Sequence, residues 1–314
     1  MDRFCPTMSE TALSGLIAFL RQKGYQFVAP TPATHRRVNG RSENDWAECI
    51  EDVFGWSRPF EPRLLPEPLF QTLRDGDAIV EVKPGWRSLV RASSIDEDIF
   101  LHSAFPTDRA DSVFFGPDTY RFARAIKANL SEPRLLRRAL DLGCGSGAGG
   151  IILAKNSVCQ ELVLTDINPV ALQLARVNAD AADVRDVKII HSDLFDQVEG
   201  NFDLIVANPP YLNDPLQRTY RHGGGTLGSE ISVRIAFDAK DRLAPGGSLL
   251  LYTGSPIVAG IDQLKREIEA ELSGNGLVLS YEEIDPDVFG EELETETYNH
   301  VDRIAAVVLT AQRL

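Results

Sequence analysis

Long apolar runs are missing from this 314-residue chain. The longest, Ser248–Tyr252 and Arg303–Thr310, fall far short of the ~20 residues a membrane helix needs, so no spanning helix is expected. Met1 to Glu10 lacks the basic-then-apolar pattern of a secretory signal, and a cytoplasmic protein is the expectation. Cysteine is sparse. Cys5, Cys49, Cys144 and Cys159 form no CxxC pair, which argues against a zinc ribbon or a disulfide framework. The histidines (His35, His102, His191, His222, His300) are isolated and lack ligand spacing, so no metal site is expected. Positive charge is also short: 32 Lys+Arg stand against 46 Asp+Glu, a net of −14. Residues 1–110 carry 13 basic and 16 acidic side chains, and residues 111–314 carry 19 and 30. Neither half has the positive field that neutralises phosphates, which disfavours a nucleic-acid partner. Arg36, Arg37 and Arg41 could touch phosphate, but three charges on a loop are usually a solvated face.

What is present is a globular composition, 43% hydrophobic and 25% charged, long enough for two domains. Residues 111–314 alternate strand and helix. Strands are expected at Leu135–Asp141, Leu162–Asp166, Val187–His191, Phe202–Ala207 and Ser248–Tyr252. Helices are expected at Val170–Ala182, Ile231–Leu243 (stopped by Pro245-Gly246-Gly247) and Val258–Leu272. Leu277–Ile284 and Arg303–Thr310 lack a full helix between them and read as an antiparallel edge pair. The pattern implies an α/β fold with a mostly parallel sheet.

Residues 1–110 read as a separate, smaller domain. Ser9 caps a helix with the apolar stripe Ala12, Leu13, Leu16, Ile17, Leu20; further helices fit Asn44–Gly55 and Pro66–Leu73. Strands are expected at Ala78–Val82, Ser88–Ala92 and Ile99–Ala104, with a turn at Pro84-Gly85. Helices followed by a hairpin resemble a winged-helix arrangement.

Chemistry concentrates after the strand ends. Asp141-Leu-Gly143-Cys144-Gly145-Ser-Gly147 follows the first parallel strand, and its glycines allow a tight turn that brings main-chain N–H groups to a ligand. An acid just before such a loop repels a pyrophosphate and suits a ligand bearing an amino group. Asp166, with Ile167 beside it, ends the next strand, where a carboxylate can accept both hydroxyls of a ribose. Asp193 follows the third strand; it can accept from an adenine amino group while Leu194 or Phe195 packs on the ring.

At the end of the fourth strand stands Asn208-Pro209-Pro210-Tyr211. Two prolines hold the backbone extended and rigid. The Asn208 side-chain oxygen and Pro209 carbonyl then form paired acceptors for the two hydrogens of a planar –NH2, and Tyr211 offers a flat face. Eight acids between Glu282 and Glu296, with no Lys or Arg among them, are expected to overlook the acceptor entrance and to favour a neutral or basic partner.

With these motifs in place, residues 112–314 resemble the class I methyltransferases that use S-adenosyl-L-methionine, and within them the amino-methyltransferases bearing Asn-Pro-Pro-Tyr. The nearest resemblance is to HemK-like protein-glutamine methyltransferases. It implies that Gly143, Cys144, Gly145 and Gly147 border the cofactor, with Asp141 near its methionine end. By the same resemblance Asp166 holds the ribose, Asp193 the adenine, and Asn208 and Pro209 the target amine, with Ile167 and Leu194 also bordering the cofactor. Phe114-Phe-Gly-Pro-Asp-Thr-Tyr120 resembles the segment that closes over the methionine moiety, with Phe115 and Thr119 as candidates. The strands within 78–104, and Tyr220-Arg-His-Gly-Gly-Gly225 after the motif, depart from that subfamily. A protein glutamine is the expected acceptor. An exocyclic base amine (adenine N6 or guanine N2) and a non-catalytic binding module are the alternatives.

Overall fold

A computed structural model of the chain describes residues 8–132, 134–272 and 276–314. Cys5 and the rest of residues 1–7 lie outside them. The chain forms two compact units. One comprises Met1–Arg121, Gly145–Ala148 and Val170–Arg185; the other comprises Phe122–Cys144, Gly149–Pro169 and Asp186–Leu314.

In the first unit, the Ser9 side chain accepts from Ala12 N–H and starts the helix Glu10–Gln22, whose buried stripe is the expected one. Helices Pro32–Asn39, Ile50–Phe54 and Glu67–Asp75 follow. Two antiparallel hairpins come next, Ile79–Glu81 with Trp86–Ser88, then Val90–Ile95 with Asp98–Ser103. The expected helix over Asn44–Gly55 is cut to Ile50–Phe54 after the 3-10 turn Ser42–Asn44. Ala47 N–H donates to Pro59 O, and Glu48 N–H to the Asp52 carboxylate, so this backbone finds partners outside a helix. Ala171, Leu174 and Val177 of the helix Pro169–Ala181 join this unit's core.

The second unit is built on an eight-stranded sheet. Its main strands are β1 (Ala139–Leu142), β2 (Leu162–Asp166), β3 (Val187–His191), β4 (Phe202–Ala207), β5 (Leu243–Val258), β6 (Leu277–Asp285) and β7 (Arg303–Arg313). They run in the order β6-β7-β5-β4-β1-β2-β3. Strands β1 to β5 are mutually parallel, and β7 is antiparallel to both β5 and β6. This is the expected Rossmann-like sheet with its antiparallel edge. Helices Glu230–Ala239 and Gln263–Leu272 supply Ile235, Leu264 and Ile268 to its core.

Three expected boundaries are corrected. Pro245-Gly246-Gly247 does not precede a strand but lies inside β5, absorbed where the register with β4 shifts between Phe202 and Leu204. The helix expected from Val258 begins at Gln263. Ala259 (φ 50) and Gly260 (φ 72) turn the chain back on β5, and Asp262 then accepts from Lys265 N–H. Leu135–Asp141 is two strands, because the Asp203 carboxylate accepts from the backbone N–H groups of both Arg137 and Arg138 between them.

The parallel register brings the ends of β1 through β5 to one edge. The connection between β6 and β7 starts and finishes there too: Pro256 near the end of β5 faces Ile304, and Asp285 at the end of β6 faces Ala306.

Candidate active site

Asp141 is buried within β1, and its Oδ2 accepts the Gly150 N–H at 2.6 Å. A Cβ on Gly149 would come within 2.9 Å of that oxygen, so glycine is what allows the acid to lie against the start of the helix Ala148–Lys155. Burial pushes the Asp141 carboxyl up to about 7, with Asp166 adding to the rise and the Gly150 N–H opposing it. Part of this acid's work is therefore to cap a helix, which the sequence reading did not assign to it.

Gly143 (φ 70), Gly145 (φ 54) and Gly147 (φ 79) occupy the left-handed region that favours glycine. Nothing lies within 4 Å of where a Gly143 Cβ would be, so a ligand has room at that main chain. Gly143 and Cys144 belong to the sheet unit, whereas Gly145–Ala148 group with the first unit. Cys144 N–H donates to Thr165 O, and burial holds its thiol well above the usual range, which disfavours a reactive thiolate.

At the end of β2, Asp166 Oδ1 accepts Asn168 N–H at 2.8 Å in a local turn, and Ile167 is exposed. Asp193 is exposed after β3, beside the turn held by Ser192, whose hydroxyl donates to Leu194 O and accepts from Gln197 N–H. Leu194 is half-buried with φ 44. Phe195 is not available to a ring ligand: it is buried in the sheet core with Leu140 and Phe202.

Asn208 is half-buried, and its side-chain amide forms no hydrogen bond among the described residues. Tyr211 is only 7% exposed. Its ring packs edge-on to Tyr252 and Phe289, at 6.5 and 5.9 Å, and lies over Gly254, where a Cβ would stand 2.4 Å from it. Most of the face expected to meet a substrate is thus spent on packing. Two contacts had no sequence signal. The Tyr298 hydroxyl joins the 286–302 connection to Asn213 and Leu227, and the Arg221 guanidinium contacts the carboxylates of both Asp214 and Glu292.

Phe115 and Thr119 lie in the first unit. Phe115 is fully buried, stacked on His102 at 4.8 Å and edge-on to Tyr120. Thr119 Oγ1 accepts Gly116 N–H at the start of the helix Pro117–Asn129.

Residues 122–260 match the family described as Methyltransferase small domain. The release factor glutamine methyltransferase of Rhodopirellula baltica is 35% identical over 156 residues, 45% of this chain and 52% of that protein. That of Koribacter versatilis is 34% identical over 164 residues, 48% of this chain and 58% of that protein. The ribosomal protein uL3 glutamine methyltransferase of Neisseria meningitidis serogroup A is 34% identical over 131 residues, 38% and 43% respectively. The chain spans about half the length of these curated relatives. Over that stretch it resembles class I S-adenosyl-L-methionine methyltransferases, and among them the HemK-like protein-glutamine enzymes.

Proposed function

We propose that this chain is an S-adenosyl-L-methionine-dependent N-methyltransferase whose acceptor is a glutamine side chain of a cytoplasmic protein. The observation that carries the reading is the uncommitted Asn208 amide, standing on a rigid Pro-Pro turn at the sheet edge that Asp166 and Asp193 share. Gly143 offers open main chain, Asp166 a ribose acceptor, and Ile167 and Leu194 apolar surface for a purine, so the residues fit the cofactor. When bound, the cofactor supplies an electrophilic methyl group. Asn208 and the Pro209 carbonyl accept the two hydrogens of the acceptor –NH2, which fixes the plane of the nitrogen and its approach. No base is required first, since the proton leaves once the nitrogen carries positive charge. In this reading residues 1–110 recognise the acceptor and residues 111–314 carry the reaction.

The names of the relatives support a glutamine over a base amine, and the net charge of −14 supports a protein over a nucleic acid. The test is incubation of the pure protein with methyl-labelled cofactor and cell lysate, followed by protease or nuclease. Label released by protease alone is expected. Release by nuclease alone would transfer the acceptor to RNA or DNA, and no labelling would remove the enzyme reading.

A further inference from the structure

We propose that Asn178 is a positioning residue for the cofactor: its amide lets the strand Asp98–Ser103 set the second half of the glycine loop, and with it cofactor affinity. The inference rests on the cofactor reading above. Asn178 lies on the helix Pro169–Ala181 and is 1% exposed. Its Oδ1 accepts Leu101 N–H at 2.8 Å, and its Nδ2 donates to Leu101 O and to Ser146 O, both at 2.9 Å. Both amide hydrogens and one acceptor are thereby used. Asparagine is a poor helix residue, so its presence here is explained by these contacts and not by propensity.

Ser146 is the residue between Gly145 and Gly147. Two glycines flanking one residue leave its peptide groups free to rotate unless something outside the loop holds them. Asn178 holds the carbonyl. One turn earlier on the same helix face, Ala175 Cβ stands 3.1 Å from where a Gly147 Cβ would be, which fixes the helix against the loop at a second point. Leu101 is itself held in register opposite Ala92. These contacts all lie within the first compact unit, to which Gly145–Ala148 belong. A loop ordered before the ligand arrives loses less entropy on binding, so the anchor raises affinity without touching the ligand.

The test uses the full chain. Cofactor binding is measured by calorimetry for the wild type, Asn178→Ala and Asn178→Ser, alongside thermal unfolding and hydrogen exchange of residues 143–150. Both variants should bind S-adenosyl-L-methionine roughly three- to tenfold more weakly, the loss of about one hydrogen bond. Loop exchange should accelerate, with β6 and β7 unchanged. A lower Tm with unaltered affinity and unaltered loop exchange would make Asn178 purely structural. The serine variant carries the measurement if the alanine variant does not fold. If the wild type binds no cofactor, the functional reading falls and the affinity claim falls with it; faster loop exchange in the variants would then show only that Asn178 orders the loop.

Discussion

The hydroxyl of Tyr298 accepts the backbone N–H of Asn213 at 2.7 Å, tying the β6–β7 connection to the chain just beyond Asn208-Pro-Pro-Tyr211. The same hydroxyl donates to Leu227 O at 3.2 Å. One fully buried side chain thus pins both ends of the 213–227 loop, and the Arg221 contacts with Asp214 and Glu292 reinforce the junction.

Tyr298→Phe keeps the ring and removes both bonds. Stability should fall by about 1–3 kcal/mol, the cost of leaving a partly buried N–H and C=O without partners. Urea unfolding with an unchanged slope measures it, and exchange should rise across 212–228 before it rises elsewhere. An unchanged midpoint would mean that solvent replaces the hydroxyl without loss.

Asp166→Ala should weaken cofactor binding through one or two lost bonds to a charged acceptor, roughly 1.5–3 kcal/mol each. Calorimetry showing equal affinity would take Asp166 out of the ribose role and leave it the local bond to Asn168.

Asn208→Ala should leave cofactor affinity nearly intact while suppressing methyl transfer on the order of 10²–10³-fold, since the amide serves the acceptor. Equal rates of lysate-protein labelling by mutant and wild type would end the paired-acceptor mechanism.

The acidic stretch is less bare than its sequence: Glu283, at the end of β6, pairs with Arg303, and Glu292 in the connection contacts Arg221. Glu291, Glu294 and Glu296 are exposed in the connection that starts and finishes at the edge where β1 through β5 end. Changing Glu291, Glu294 and Glu296 to Lys should slow labelling of protein acceptors, and the deficit should shrink as salt rises. A deficit that salt does not alter would point to a folding defect instead.

Two buried groups give opposing pH slopes. Burial, with Arg91 adding, pulls the His35 imidazole down to about 4. The unfolded chain therefore binds the extra proton first, and His35's stabilising contribution, complete above about 6.5, is lost as pH falls toward 4. Asp141 behaves in the other sense. Its carboxyl, raised to about 7, keeps a proton that the unfolded chain releases near 3.8, so stability falls as pH rises between those values. The two slopes largely cancel between about pH 4 and 6.5, so relative to the wild type the denaturant midpoint of His35→Gln should fall as pH rises through that window, and that of Asp141→Asn should rise. Parallel profiles for either variant and the wild type would mean that the group titrates alike in both states.

Sequence alone determined the elements whose signals are local. Ser9 and its apolar stripe fix a helix through one cap and a 3.6-residue period, and β2, β3 and β4 read at their observed limits because each is a short apolar run closed by a turn or an acid. The glycine loop and Asn208-Pro-Pro-Tyr211 were legible for the same reason: their residue types constrain their own backbone. Tertiary structure decided the rest. Pro245-Gly246-Gly247 became a bulge inside β5, because the neighbouring strand could shift its register and keep the ladder. Phe195 and Tyr211 turned inward because packing against the sheet core and against Gly254 is open only to a folded chain. Asn178 and Tyr298 bond backbone groups 32 to 85 residues away. No pattern in one sequence announces such partners, since they exist only once distant backbone is brought within hydrogen-bonding distance.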